Sequence, residues 1–143
     1  MADPRLRFEF GTIGYKAVTL LADNSTITYS ASTANGSAAV GRAVTLSAAH
    51  TVALAADGEA VIGKLIEVSS DLACTVQVEG FCELPGGNGA DLTLGYPIVG
   101  ALNASNAKGY IRAAASTTAA ELAKGNGKIF DAATTTAVVV KLA

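Results

Sequence analysis

The sequence predicts an all-β protein: a small barrel or sandwich of short antiparallel strands, with one short helix near the C-terminus and an N-terminal arm. Three observations carry this. Apolar and polar residues alternate at period two along much of the chain, which is the pattern of half-buried strands. Turn residues (Gly, Asn, Asp) interrupt that alternation at short intervals. Helical periodicity is confined to one stretch of about two turns.

Taken in order, Leu6, Phe8 and Phe10 alternate with Arg5, Arg7 and Glu9, giving an amphipathic strand or extended arm. Glycines at 11 and 14 interrupt it. Residues 15–21 read as a second strand ending at the Asp23-Asn24 turn, and residues 26–29 as a short third. A Ser/Ala/Gly-rich run, 30–39, holds the turn Asn35-Gly36. The boundary is placed there, between an N-terminal section (1–35) and a β-barrel body (36–143). The body opens with strands at 40–46 and 51–54, then the Asp57-Gly58 turn. Residues 61–68 are apolar on both faces and are expected at the centre of the sheet.

Residues 74–84 alternate most cleanly. Cys74, Val76, Val78, Gly80, Cys82 and Leu84 share one face, and Thr75, Gln77, Glu79, Phe81 and Glu83 the other. A glycine loop at 85–89 follows, then strands at 96–99, 110–112 and 137–142. Pro97 favours a strand end or an edge. Thr118 and Glu121 have the spacing of a capping box, and Gly125 marks the helix end.

Half of the 143 residues are apolar, and the net charge is −2 with ten basic residues. That balance argues against a protein that binds nucleic acid by neutralising phosphates. Alanine supplies about a fifth of the chain and tryptophan is absent, so a thin, closely packed core is expected. Charged residues are only 15%, against an average near 25%. So sparse a surface is expected to lie against other protein. No run approaches the roughly 18 apolar residues that span a bilayer, and no membrane partner is expected. Met1 to Arg7 carries charges without an apolar segment behind it, so no secretory signal is expected.

Catalytic constellations are hard to build from this chain. Its single histidine, His50, is expected in a turn, with no nucleophile motif beside it. One His and two Cys spaced along a strand face do not converge on a metal. Cys74 and Cys82 are eight residues apart on one extended strand, roughly 27 Å between Cα atoms. They are expected as free thiols serving as small core residues. Neither 85–89 nor 125–129 leads into a helix with a Lys-Ser or Lys-Thr pair, so neither is a phosphate loop. The carboxylate pairs Asp57/Glu59 and Glu79/Glu83 fit turn chemistry and solubility. No catalytic residue, cofactor or metal is expected, and the chain is not expected to be an enzyme.

The stretch from Gly41 to Gly100 resembles the capsid decoration (cement) proteins of tailed bacteriophages. The likeness rests on Gly41-Arg42-Ala43-Val44-Thr45-Leu46, Asp57-Gly58, Val61-Ile62-Gly63-Lys64-Leu65, residues 74–80, and Gly95-Tyr96-Pro97-Ile98-Val99-Gly100. The small helix followed by residues 129–140 adds to it. These segments are structural glycines, turns and strands rather than a chemical signature, and the N-terminal section is not covered. The resemblance implies a homotrimer without enzymatic activity that binds the major capsid protein on the capsid surface, after synthesis in the host cytoplasm. Arg5, Leu6, Arg7, Phe8 and Phe10 are the candidate contact with the capsid or a neighbouring protomer. The alternative is a non-catalytic binding module of a phage head fibre or a carbohydrate-binding adhesin, which would present exposed tyrosines such as Tyr96 and Tyr110.

Overall fold

A computed structural model describes residues 13–143, and those residues form an all-β architecture with one short helix. Five strands close into a ring: β1 (Lys16–Ala22), β2 (Ala43–Ala48), β3 (Thr51–Leu54), β4 (Gly63–Val68) and β5 (Ala73–Leu84). Around the ring β1 pairs with β3, β3 with β2, β2 with β4, β4 with β5, and β5 again with β1. Every pairing is antiparallel except β1–β3, which is parallel and spans only Leu21↔Thr51 and Ala22↔Val52. Within the N-terminal section, the strand expected at residues 15–21 is β1, and it lies in the sheet.

The twelve-residue β5 continues beyond the ring. Its second half pairs with β9 (Val138–Leu142), and β9 pairs with β8 (Lys128–Asp131). A separate antiparallel ribbon, β6 (Ile98–Ala101) with β7 (Tyr110–Ala113), completes this layer. Helix α1 (Ala119–Lys124) links β7 to β8.

Two cores follow from that geometry. The ring encloses Ile27, Val44, Val52, Leu65, Cys74 and Val76, among others. The outer layer buries Cys82, Leu84, Ile98, Ile111, Ile129 and Val140. Each such aliphatic side chain contributes roughly 1.5–3 kcal/mol on burial. The even-numbered face of β5 supplies both cores, as its alternation predicts, with one departure at Gln77 and Val78. There Gln77 is buried and its Nε2 donates to the carbonyls of Glu79 (3.0 Å) and Phe81 (3.1 Å). It spans Gly80, whose φ of +94° demands glycine.

Residues 26–29 do not form the expected strand. Burial pushes the Asp23 carboxyl up, but hydrogen bonds from the backbone N–H groups of Ile27, Thr26 and Ser25 and from the Thr26 hydroxyl outweigh it and hold it below its usual value. The Thr26 hydroxyl oxygen accepts from Leu54 N–H at 2.9 Å. Side-chain bonds thus replace a ladder, leaving Ile27 free to plug the ring, where it is fully buried.

Both cysteines are free and buried, one in each core. Burial pushes the Cys74 thiol above its usual value and the Cys82 thiol to about 12. A thiol reagent at neutral pH should therefore label neither cysteine in the native protein and both after denaturation; rapid native labelling contradicts the two-core arrangement. Cys74→Ala should lower stability by about 1 kcal/mol in denaturant titration. Gly63→Ala should cost about 1–3 kcal/mol, because a Cβ there would lie 2.0 Å from the Gln77 carbonyl oxygen.

Candidate functional site

The sequence-derived chemical candidates are spread over the molecule. His50 is exposed in the turn joining β2 to β3, in a left-handed conformation. The glycine loop after β5 spends its N–H groups on backbone carbonyls: Gly86 on Thr135, Gly87 on Ile111 and Asn88 on Leu102. None of those three is left for an anion. Asn126 donates its backbone N–H to Ile98, and its side chain joins Val61 to Ala143. Glu79 pairs with Lys16 at 3.3 Å on the surface. Glu59 accepts from the backbone of Ala56. No group of three or more His, Cys, Asp and Glu side chains converges among the described residues.

One polar cluster does converge, and sequence reasoning missed it. Arg112 of β7 donates through Nε to Asp57 in the Asp-Gly turn at 3.0 Å, and through Nη1 to Glu121 of α1. Glu121 also accepts from Ala115 N–H at 2.9 Å. The capping box therefore does not form: Glu121 is committed to Arg112, and Thr118 makes no side-chain cap bond. Its spacing was a true helix-start signal attached to a different partner. The helix still ends at Gly125, but for a packing reason. Its φ is an ordinary −59°, whereas a Cβ would press on the Pro97 ring at 2.6 Å.

This triad is a clamp. The hydrogen bond from Arg112, helped by Ala115, lowers the Glu121 carboxyl to about 2, and Glu121 in turn raises the Arg112 guanidinium. Glu121 is thus held ionised against a fixed cation. A shallow cleft beside it is lined by Asp57, Asn88, Asp91, Asn103 and Arg112. Its side chains are engaged locally: Asp91 with Thr93, and Asn103 with Ser105, Ala107 and Tyr110. Among the described residues no buried side-chain nitrogen or oxygen lacks a partner.

What the fold leaves open is apolar. Leu94 (61% exposed), Tyr96, Leu122 and Phe130 (51%) stand out of the surface around β8 and α1. Their neighbourhood is set by bonds between Gly95 N–H and the Ile129 carbonyl and between Ile129 N–H and the Tyr96 carbonyl. Phe130 also meets Phe81 edge to face, with ring centroids 5.0 Å apart. A second exposed set, Val18, Leu21 and Leu46, lies on the ring. Tyr110, the second tyrosine candidate, is half-buried, with Arg42 stacked 5.4 Å from its ring centre. The arm candidates Arg5, Leu6, Arg7, Phe8 and Phe10 lie outside the described residues.

No family model, curated protein or solved structure matches the chain.

The clamp has a pH signature. A carboxyl whose value falls from the ordinary 4.5 to about 2 on folding stabilises the native state fully above pH 4.5. That contribution declines as pH falls from 4.5 toward 2. Thermal melts of the parent and Glu121→Gln should differ most near neutrality and converge over this window. A constant difference down to pH 2 would show that Glu121 acts by packing alone.

Proposed function

We propose that this chain is a structural virion protein that binds the outer surface of a phage capsid and stabilises the shell by bridging capsid subunits. One observation carries the reading. Internal polar groups are committed to one another, while large apolar side chains (Leu94 and Phe130 above all) are left on the surface of a chain with only 15% charged residues. Such a surface suits broad, dry contact with protein rather than capture of a polar substrate. The chain acts without catalysis or cofactor, as a homotrimer, with the major capsid protein as its partner. Contacts that exist only on the assembled shell stabilise that shell by mass action, and three linked copies add their contacts multivalently.

The adhesin reading is weaker on its own terms. A sugar-stacking platform needs several open aromatic faces, and of the two tyrosines it would present Tyr110 already holds the Arg42 guanidinium against its ring, which leaves Tyr96.

The test is co-sedimentation with empty heads assembled from the major capsid protein of the same phage. The full chain should pellet with the heads and raise their melting temperature. A chain beginning at Gly11, lacking Leu6, Phe8 and Phe10, should keep its own melting temperature and lose most head binding. Absence of full-chain binding to mature heads overturns the capsid reading.

A further inference from the structure

We propose that Asn88, in the loop after β5, is a site of spontaneous deamidation, which the fold leaves open there while blocking it at two other Asn-Gly pairs. The chain holds the pairs Asn35-Gly36, Asn88-Gly89 and Asn126-Gly127. A glycine after asparagine puts no side chain in the way of its own backbone nitrogen and gives the backbone freedom to turn. The Gly89 nitrogen gives up its proton and bonds to Asn88 Cγ, and the side-chain nitrogen leaves as ammonia. Water then opens the resulting succinimide at either carbonyl, giving aspartate or isoaspartate at position 88. Water is the only co-reactant.

The three pairs differ in how far the fold lets that ring close. Asn126 is fixed at every polar group. Its backbone N–H donates to the Ile98 carbonyl at 3.1 Å and its carbonyl accepts from Ile98 N–H at 3.0 Å. Its Nδ2 donates to the Val61 carbonyl at 2.8 Å, and its Oδ1 accepts from Ala143 N–H at 3.1 Å. A Cβ on Gly127 would lie 1.9 Å from the Lys141 carbonyl oxygen, so that glycine has no room to swing. At Asn35 the attacking group is itself committed. Gly36 N–H donates to the Thr33 carbonyl at 3.0 Å, and the Gly36 carbonyl accepts from Ser30 N–H at 2.8 Å. A Cβ on Gly36 would lie 1.9 Å from the Val68 carbonyl oxygen, so the end of β4 backs it closely.

Asn88 and Gly89 are both exposed. The loop is anchored up to that point, by the bonds from the Gly86, Gly87 and Asn88 N–H groups to Thr135, Ile111 and Leu102. Beyond it, the turn over Asn88 and Gly89 is closed by Ala90 N–H to the Gly87 carbonyl at a long 3.3 Å. A Cβ on Gly89 would stand in open space. Turning the Asn88-Gly89 peptide toward the side chain thus disturbs one weak bond, whereas Gly36 would have to break two good ones. The extra backbone atom of isoaspartate also falls after the anchors, where the loop can take it up. The new carboxylate enters the cleft that Asp57, Asp91 and Arg112 line, on a chain whose net charge is already −2.

The proposal does not depend on the capsid reading, and the full chain alone tests it. The protein is kept warm at mildly alkaline pH, and the peptides holding the three Asn-Gly pairs are followed by mass spectrometry. In the native protein the Asn88 peptide should gain about 1 Da as the amide becomes a carboxyl. It should do so about tenfold or more faster than the Asn35 and Asn126 peptides. In guanidinium chloride, where the fold no longer separates the pairs, the three rates should draw together. Asn88→Ser should lack the main acidic form that isoelectric focusing resolves in the aged parent. Native rates at Asn35 or Asn126 that match the rate at Asn88 overturn the proposal. A native Asn88 that stays intact while the unfolded chain deamidates there overturns it as well.

Discussion

β5 is the constraint on which the other elements depend. Its twelve residues reach roughly 40 Å, further than either core is wide, so one strand has to serve two hydrophobic interiors. Cys74 and Val76 close the ring, while Cys82 and Leu84 floor the outer layer. Between them the strand must change neighbours from β1 and β4 to β9 without losing phase. Gln77 and Gly80 do this together. The glycine adopts a conformation closed to other residues and lets Gly14 pass above it, and the Gln77 amide holds the carbonyls on either side. A register slip here would turn the buried Cys74, Val76, Cys82 and Leu84 to water, a cost no surface contact offsets.

The outer layer needs a second device, because its parts are joined by loops rather than by ladders. Arg112 supplies it by tying the Asp57 turn of the ring to β7 and α1. With side chains only 21% and 16% exposed, Arg112 and Glu121 interact more strongly than a surface pair. Asp57, 59% exposed, adds less. A six-residue helix with no side-chain cap bond and no buried residue has little side-chain support apart from this clamp.

Much of this was legible because strands announce themselves by parity. Residues 51–54 and 74–84 were read almost to the residue, since each has one wet and one dry face. Both cysteines fell on the dry face and are buried. Where parity misled, a side chain had taken over the backbone's hydrogen bonds. Asp23 did so at residues 26–29, and Arg112 withdrew Glu121 from its cap. The Asp23 bonds are local and extend the turn marked at Asp23-Asn24, but the bond from Leu54 to Thr26 and the pairing of Arg112 with Glu121 leave no local trace, because those partners lie in other elements. The parallel β1–β3 pairing was equally invisible, being fixed by ring closure over two residue pairs. The functional surface was legible only as a deficit of charge. Which apolar residues stay outside depends on how the two cores fill, and alternation cannot report that.

That surplus of apolar surface is informative when set against the two completed cores. Ile27, Leu65, Ile98 and Ile111 are fully buried, so the fold can sequester large aliphatic side chains where it has room. Leu94, Leu46 and Phe130 are more than half exposed in the same molecule. In a lone chain each leaves half or more of its surface in water, whereas burial against a partner returns roughly 25 cal/mol per Å². Under the function proposed here, their value lies in contacts made between molecules. Because these residues fall in two separate sets, one at the ring and one around β8, the chain has two faces available for protein rather than one. A subunit that must hold its own copies together and also grip a larger surface needs two such faces, and a protein with a single partner does not.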